Sequence, residues 1–155
     1  LHKKRLTMVP ISAGRQLMVY LIGSLRNPKV PELGNELRVE GYEVFNDWWA
    51  ASEDADEWWQ RYEQGRGHTF AEALRGPFAE HVFAFDLKYL HWANTGILML
   101  PAGKSAHLEF GFLIGQGKRA YVLLDGEPER YDFMYLFANG VFSDKQGLFA
   151  ELKRR

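Results

Sequence analysis

Apolar positions run almost unbroken in three places along this chain, and each run closes on residues that turn a backbone. These are "QLMVYLIGS" (16–24), "TGILMLP" (95–101) and "KRAYVLLD" (118–125). Runs of this length without polar alternation predict strands buried on both faces. Elsewhere apolar residues recur every three or four positions. Val30, Leu33, Leu37 and Val39 predict a helix opened by Asn27 as cap, with Pro28 and Pro31 in its first turn and Gly41 at its end. "YEVFND" (42–47) predicts a short second strand. Phe78, Val82, Phe85, Tyr89 and Trp92 predict a helix over 78–93, residues 105–116 another, and residues 143–153 the last. "YLFANG" (135–140) offers a fifth strand. Residues 48–80 break the rhythm with acids, aromatics and glycines. They predict two short helices, 54–64 and 69–76, parted by "GRG" and inserted at the mouth of the sheet.

Strands alternating with helices imply a parallel sheet covered on both faces. The length of 155 residues suits one domain, expected over 15–155, behind a loosely ordered tail at 1–14. Composition adds exclusions. A formal net charge of −1 argues against a nucleic-acid groove. The absence of cysteine removes disulfides, thiolate metal sites and thiol nucleophiles, and fits a cytoplasmic setting. No pair of the five histidines has a compelling ligand spacing, so no metal and no cofactor is expected. No run has the length of a membrane span, and the first residues lack the apolar core of a signal peptide. Aromatics at 15% are in excess and point to a core, an oligomer interface or a base-stacking pocket.

In an open α/β sheet, ligands bind beyond the carboxyl ends of the strands. Three such ends carry polar residues: "GSLR" (23–26), "ND" (46–47) and "PAGKSAHLE" (101–109). Gly23 allows close approach of backbone to ligand, Ser24 offers a hydroxyl, and Arg26 a fork that fits phosphate or carboxylate. A plain strand-to-helix turn with a solvated arginine reads the same residues equally well. "GKS" (103–105) is not a P-loop, because position 98 is Leu. Gly103 and Ser105 can still present N–H groups and a hydroxyl at a helix N-terminus, an arrangement that favours anions. Glu109 is either a dipole partner or a carboxylate turned into the cleft. Asp86 and Asp47 carry the same choice between surface acid and catalytic group. Trp48 and Trp49 are candidates to stack on a base.

Taken together, "VYLIGSLRNP", the acid in "FDLKYLHWAN" and "ILMLPAGKSAHLEFGFLIGQGKRAYVLL" resemble the nucleoside 2-deoxyribosyltransferase superfamily, whose relatives include deoxynucleoside-monophosphate N-glycosidases. The resemblance covers about half the chain, 17–47 and 81–125. It implies that Glu109 is a nucleophile toward C1′ of a sugar and Asp86 a proton donor to the leaving base. It also implies that Tyr20 lies near the nucleophile, and that Gly23, Ser24, Arg26, Gly103 and Ser105 cradle the substrate, in one branch its 5′-phosphate. Asn94 stands where relatives often carry Asp, and residues 48–80 have no counterpart. Members of the superfamily complete the pocket with residues of a neighbouring subunit, which implies a homodimer or larger assembly.

Pattern and resemblance together predict a flavodoxin-like three-layer α/β/α sandwich with a parallel five-stranded sheet, order 2-1-3-4-5. The expected chemistry is cleavage of a nucleoside 5′-monophosphate at its N-glycosidic bond, or transfer of its glycosyl group to another base. Expected partners are a small nucleoside or nucleotide and further copies of the chain. Two other readings stay open: a nucleotide-binding sensor without turnover, and a nicotinamide-dinucleotide glycohydrolase.

Overall fold

The structure, a computed structural model, describes residues 16–154; the expected tail at 1–14 lies outside them. Five strands form one parallel sheet in the order β2-β1-β3-β4-β5. They are β1 (Met18–Ile22), β2 (Glu43–Phe45), β3 (Thr95–Met99), β4 (Arg119–Leu123) and β5 (Gly140–Phe142). Helices α1 (Lys29–Val39) and α6 (Lys145–Lys153) cover one face, where Val19, Leu21, Leu33, Leu37, Leu148 and Leu152 are buried. Helices α4 (Pro77–Trp92) and α5 (Lys104–Gly115) cover the other, where Tyr20, Ile22, Leu98, Phe110 and Leu113 are buried. Successive residues of β1 thus enter opposite layers, as the two-residue period of a strand requires. This is the sandwich that the sequence predicts.

The expected insertion follows β2. It is a 3₁₀ turn (Asp47–Ala51), α2 (Ala55–Gly65) and α3 (Phe70–Ala73), the last opened by a reciprocal capping box between Thr69 and Glu72. Within α2 only Glu63 is buried. It receives His68 Nδ1 at 2.5 Å, and Arg66 stands 3.7 Å away, so the turn between α2 and α3 is held by polar contacts to one buried side chain rather than by a core.

Three expectations need correction. The fifth strand is Gly140–Phe142, not 135–140. The Asp132 carboxylate accepts from the Met134 amide and winds 133–137 into a 3₁₀ turn, so the aromatic run never extends. The strand forms only after Asn139 exchanges backbone and side-chain bonds with Ala120. The start of α1 is shifted by one residue: the cap position is Pro28, already helical at φ −67° and ψ −14°, while Asn27 Oδ1 accepts from the Lys29 amide, the bond a capping side chain makes. Val39 is 87% exposed, so the apolar stripe of α1 ends at Leu37. Gly41 does end the helix, at φ +93°, a left-handed conformation that costs glycine little.

Asn94, at the position where the resembling family often has an acid, fastens the sheet. Its Oδ1 accepts from the Met18 amide and the Thr95 hydroxyl, and its Nδ2 donates to the Gln16 carbonyl. A carboxylate there would lose the last of these bonds.

Candidate active site

Ile22 of β1 lies level with Leu98 of β3, so the two carboxyl ends finish together. Gly23 follows β1 directly. A Cβ at this position would stand 2.7 Å from Val30 Cγ2, so only glycine lets α1 return this tightly over the strand end. The Ser24 hydroxyl then accepts from the Arg26 amide, and the Ser24 carbonyl from the Asn27 amide, which closes the turn. From β3 the chain passes a cis Leu100–Pro101 peptide and enters α5 with Gly103 as cap. The two turns face each other across a cavity of about 400 Å³ lined by Ser24, Arg26, Asn27, Pro101, Gly103 and Asp125.

Three features suit this cavity to an anion with attached hydroxyls. The first turn of the twelve-residue helix α5 presents unpaired N–H groups beside it. Arg26 supplies a guanidinium. Asn27 Nδ2 is buried there and makes no hydrogen bond among the described residues, which leaves a donor for a ligand to satisfy. Ser105 is exposed in the same first turn of α5. Asp125 is the acid of the lining, and the Lys29 ammonium holds both its oxygens at 3.0 Å.

Deeper in the same end of the molecule are two carboxyl groups. Asp86 lies one turn before the buried Leu90 on α4, and Glu109 lies on α5 between the buried Ala106 and Leu113. Both side chains are therefore turned toward the layer between helices and sheet, and both residues are half-buried. Burial pushes the Asp86 carboxyl up to about 6. Burial also pushes Glu109 up to about 7; the Tyr20 hydroxyl opposes this and the Asp86 charge adds to it. The Asp86 charge is the smallest of these contributions at Glu109, and burial alone raises Asp86, so each carboxyl is raised chiefly by loss of water.

The position of Glu109 near a helix N-terminus does not keep its pKa low. The residue sits in the second turn of α5, and loss of water outweighs the helix end.

Tyr20 is fully buried in β1 beneath α4 and α5. Its hydroxyl makes no hydrogen bond of ordinary geometry, yet it interacts closely enough with Glu109 to favour the ionised carboxylate. Burial first, then the charges of Glu109 and Asp86, raise its own pKa, so it remains a neutral donor. Tyr20 also leans on Phe45 with ring centroids 5.1 Å apart, and Phe45 stacks on Tyr89 of α4 at 3.9 Å. That column sets α4 on the sheet one turn beyond Asp86.

Asp47 and Trp48 do not line the first cavity. Asp47 is exposed and lines a second cavity at the β2 edge with Arg38, Phe45, Tyr89 and Trp92. Trp48 donates its indole N–H to the Leu21 carbonyl at 2.8 Å and packs against both core layers, so it anchors the start of the insertion. Sequence reasoning missed Lys29 and Asp125, Glu57, whose Oε1 lies 3.3 Å from Arg26 Nη2, and the His107 bridge. The last binds the Gly103 carbonyl through Nδ1 at 2.7 Å and the Tyr135 hydroxyl through Nε2 at 2.8 Å. Among the described residues no group of three His, Asp or Glu side chains is placed to hold a metal ion. No helix among them is long and apolar enough to cross a membrane.

No protein-family model and no curated protein matches the sequence. Solved structures do match. One is a CMP N-glycosidase, BcmB, from Clostridium botulinum, with TM-score 0.53 and 14% identity over 88% of this chain and 98% of that one. Another is a 2-deoxyribosyltransferase from the psychrotolerant bacterium Bacillus psychrosaccharolyticus, with TM-score 0.55 and 20% identity over 87% of this chain and 95% of that one. The chain therefore has the fold of the nucleoside 2-deoxyribosyltransferase-like proteins.

Proposed function

We propose that this protein cleaves the N-glycosidic bond of a nucleoside 5′-monophosphate, with transfer of the glycosyl group to a second base as the related alternative. The observation that carries the reading is a pair of half-buried carboxyls, Glu109 and Asp86, both raised by burial, with the Tyr20 hydroxyl against Glu109. They stand at the same sheet end as a cavity with unsatisfied donors. The two fold relatives, one a CMP N-glycosidase and one a 2-deoxyribosyltransferase, support the same chemistry.

In this mechanism the 5′-phosphate occupies the cavity between Ser24, Arg26 and Gly103, with Ser105 at the adjoining helix start. Positive charge builds on the sugar as the C1′–N bond lengthens. The Glu109 carboxylate stabilises that charge and forms a C1′–O bond, while the Asp86 carboxyl gives its proton to the departing base nitrogen. Water then attacks C1′ and loses a proton to the Asp86 carboxylate, which releases Glu109 and restores the starting state. The logic is that of retaining glycosidases, one carboxyl as nucleophile and one as acid then base. Tyr20 steadies the carboxylate form of Glu109. Asp47 and Trp48 take no step in this scheme.

The test is a panel of nucleosides and 5′-monophosphates, with and without an acceptor base and with nicotinamide dinucleotide as a further arm. The readout is chromatography of free base. Monophosphates should release base fastest. Absence of base from every member, with binding intact, would instead favour a sensor.

The reading includes self-association. On α4 the apolar stripe read from the sequence is largely uncovered: Phe78, Val82 and Phe85 are exposed, and of α4 only Leu90 is buried. Leu108 of α5 and Phe133, Leu136 and Phe137 of the adjoining 3₁₀ turn are exposed on the same layer, whereas α1 and α6 contribute Val39 alone. An apolar surface this concentrated needs a cover, and a second copy laid on it would also shield the half-open carboxyl pair. Sedimentation velocity should find a dimer or larger species at micromolar concentration. The double variant Leu136→Asp/Phe137→Asp should shift it to monomer. A monomeric wild type would refute this part.

A further inference from the structure

Arg26 does not face the cavity unattended. Its Nη2 lies 3.3 Å from Glu57 Oε1, a carboxylate carried by α2 of the insertion. The pair spans thirty-one positions of sequence and joins the strand-end turn to a helix that buries only Glu63. Both partners are more than half exposed, so water and salt reach them. The other acid at the cavity, Asp125, is balanced by a cation of its own, since Lys29 holds both its oxygens. Glu57 is different, because the cation it occupies is one that lines the cavity itself.

We propose that Glu57 is an internal competitor for the phosphate site and so sets selectivity between phosphorylated and unphosphorylated ligands. The inference rests on the preceding reading of the cavity as a phosphate cradle. A guanidinium offers its fork to one carboxylate or one phosphate along a given edge. A phosphate with two negative charges and three oxygens displaces a single carboxylate; a neutral hydroxymethyl group does not. Ligands with a phosphate therefore take Arg26 from Glu57 and release α2 from the strand-end turn. Ligands without one leave the clasp closed. The insertion thereby reports whether the cradle is filled.

The experiment uses ribose 5-phosphate, which has no base to lose, and reads binding by calorimetry without turnover. An exposed ion pair is worth about 0.2–1 kcal/mol, so Glu57→Gln should tighten the dissociation constant by about 1.4- to 5-fold. Ribose itself should bind wild type and Glu57→Gln alike. Arg26→Ala should weaken ribose 5-phosphate binding, and adding Glu57→Gln to Arg26→Ala should change nothing more, because no cation remains to compete for. Unchanged or weaker binding by Glu57→Gln would make Glu57 a support for Arg26 and overturn the proposal. So would wild type and Glu57→Gln both failing to bind the sugar phosphate. A panel that releases no base, together with the expected binding series, would sink the glycosidase reading and leave the role of Glu57 standing.

Discussion

Glu109→Gln is expected to abolish base release while making the protein more stable in mild alkali. The amide keeps the shape of the side chain but offers C1′ no negative charge and no nucleophile. Loss of a nucleophile typically costs a factor of about 10³–10⁶ in kcat. The stability effect follows from burial. In the folded chain the Glu109 carboxyl is raised from its ordinary 4.5 to about 7, so the native state holds the proton more firmly than the unfolded chain does. The favourable contribution is complete below the unfolded pKa and disappears as pH climbs through about 7. At pH 8 the wild type therefore carries an ionised, poorly hydrated carboxylate that the glutamine variant lacks. The difference should be on the order of 2 kcal/mol at pH 8, after allowance for the water that reaches a half-buried group, and should vanish near pH 4. Urea denaturation at the two pH values measures it, and base release from the preferred monophosphate measures the other half. A variant that loses stability at pH 8, or keeps its activity, would remove Glu109 from the centre of the site.

The sandwich was legible because its three central strands are buried on both faces, and continuous apolar runs such as 18–22, 96–99 and 120–123 have few other uses. Their polar ends located the cavity for the same reason: parallel strands deliver their carboxyl ends to one side, so Ser24, Arg26 and Gly103 had to approach each other. Legibility failed where a local side-chain bond outcompeted the pattern. Asp132 turns an aromatic run that reads as strand into a 3₁₀ turn. It failed again where partners meet across the fold. Nothing in the spacing announces that Glu57 reaches Arg26, or that Lys29 reaches Asp125 from ninety-six positions away. The stripe of α4 misled in a different way. Its period is helical, as read, but its apolar face is covered only toward the C-terminal end. Periodicity reports that a face is apolar and leaves open what covers it.

Asp86→Asn should show a different signature, and the contrast assigns the two carboxyls. By acidity alone the roles could be exchanged. Burial carries Glu109 to about 7 and Asp86 to about 6, so the last proton of the free pair resides more on Glu109, the group proposed to attack. The competent form has one proton in the pair. Below about 6 both carboxyls are protonated and no nucleophile exists; above about 7 both are ionised and no donor exists. The kcat/KM profile should therefore be a bell with its maximum between these values. A sugar that becomes cationic beside Glu109 draws the proton toward Asp86 as the bond stretches, which produces the reactive arrangement from the common one. If Asp86 is the donor, Asp86→Asn should lower kcat by about 10²–10⁴ and flatten the alkaline limb. The loss should shrink for substrates whose base leaves readily without protonation, because those never needed the proton. Glu109→Gln should show no such rescue, since a better leaving group does not replace a missing nucleophile. Rescue confined to Glu109→Gln, with Asp86→Asn dead toward every leaving group, would reverse the assignment and make the aspartate the nucleophile.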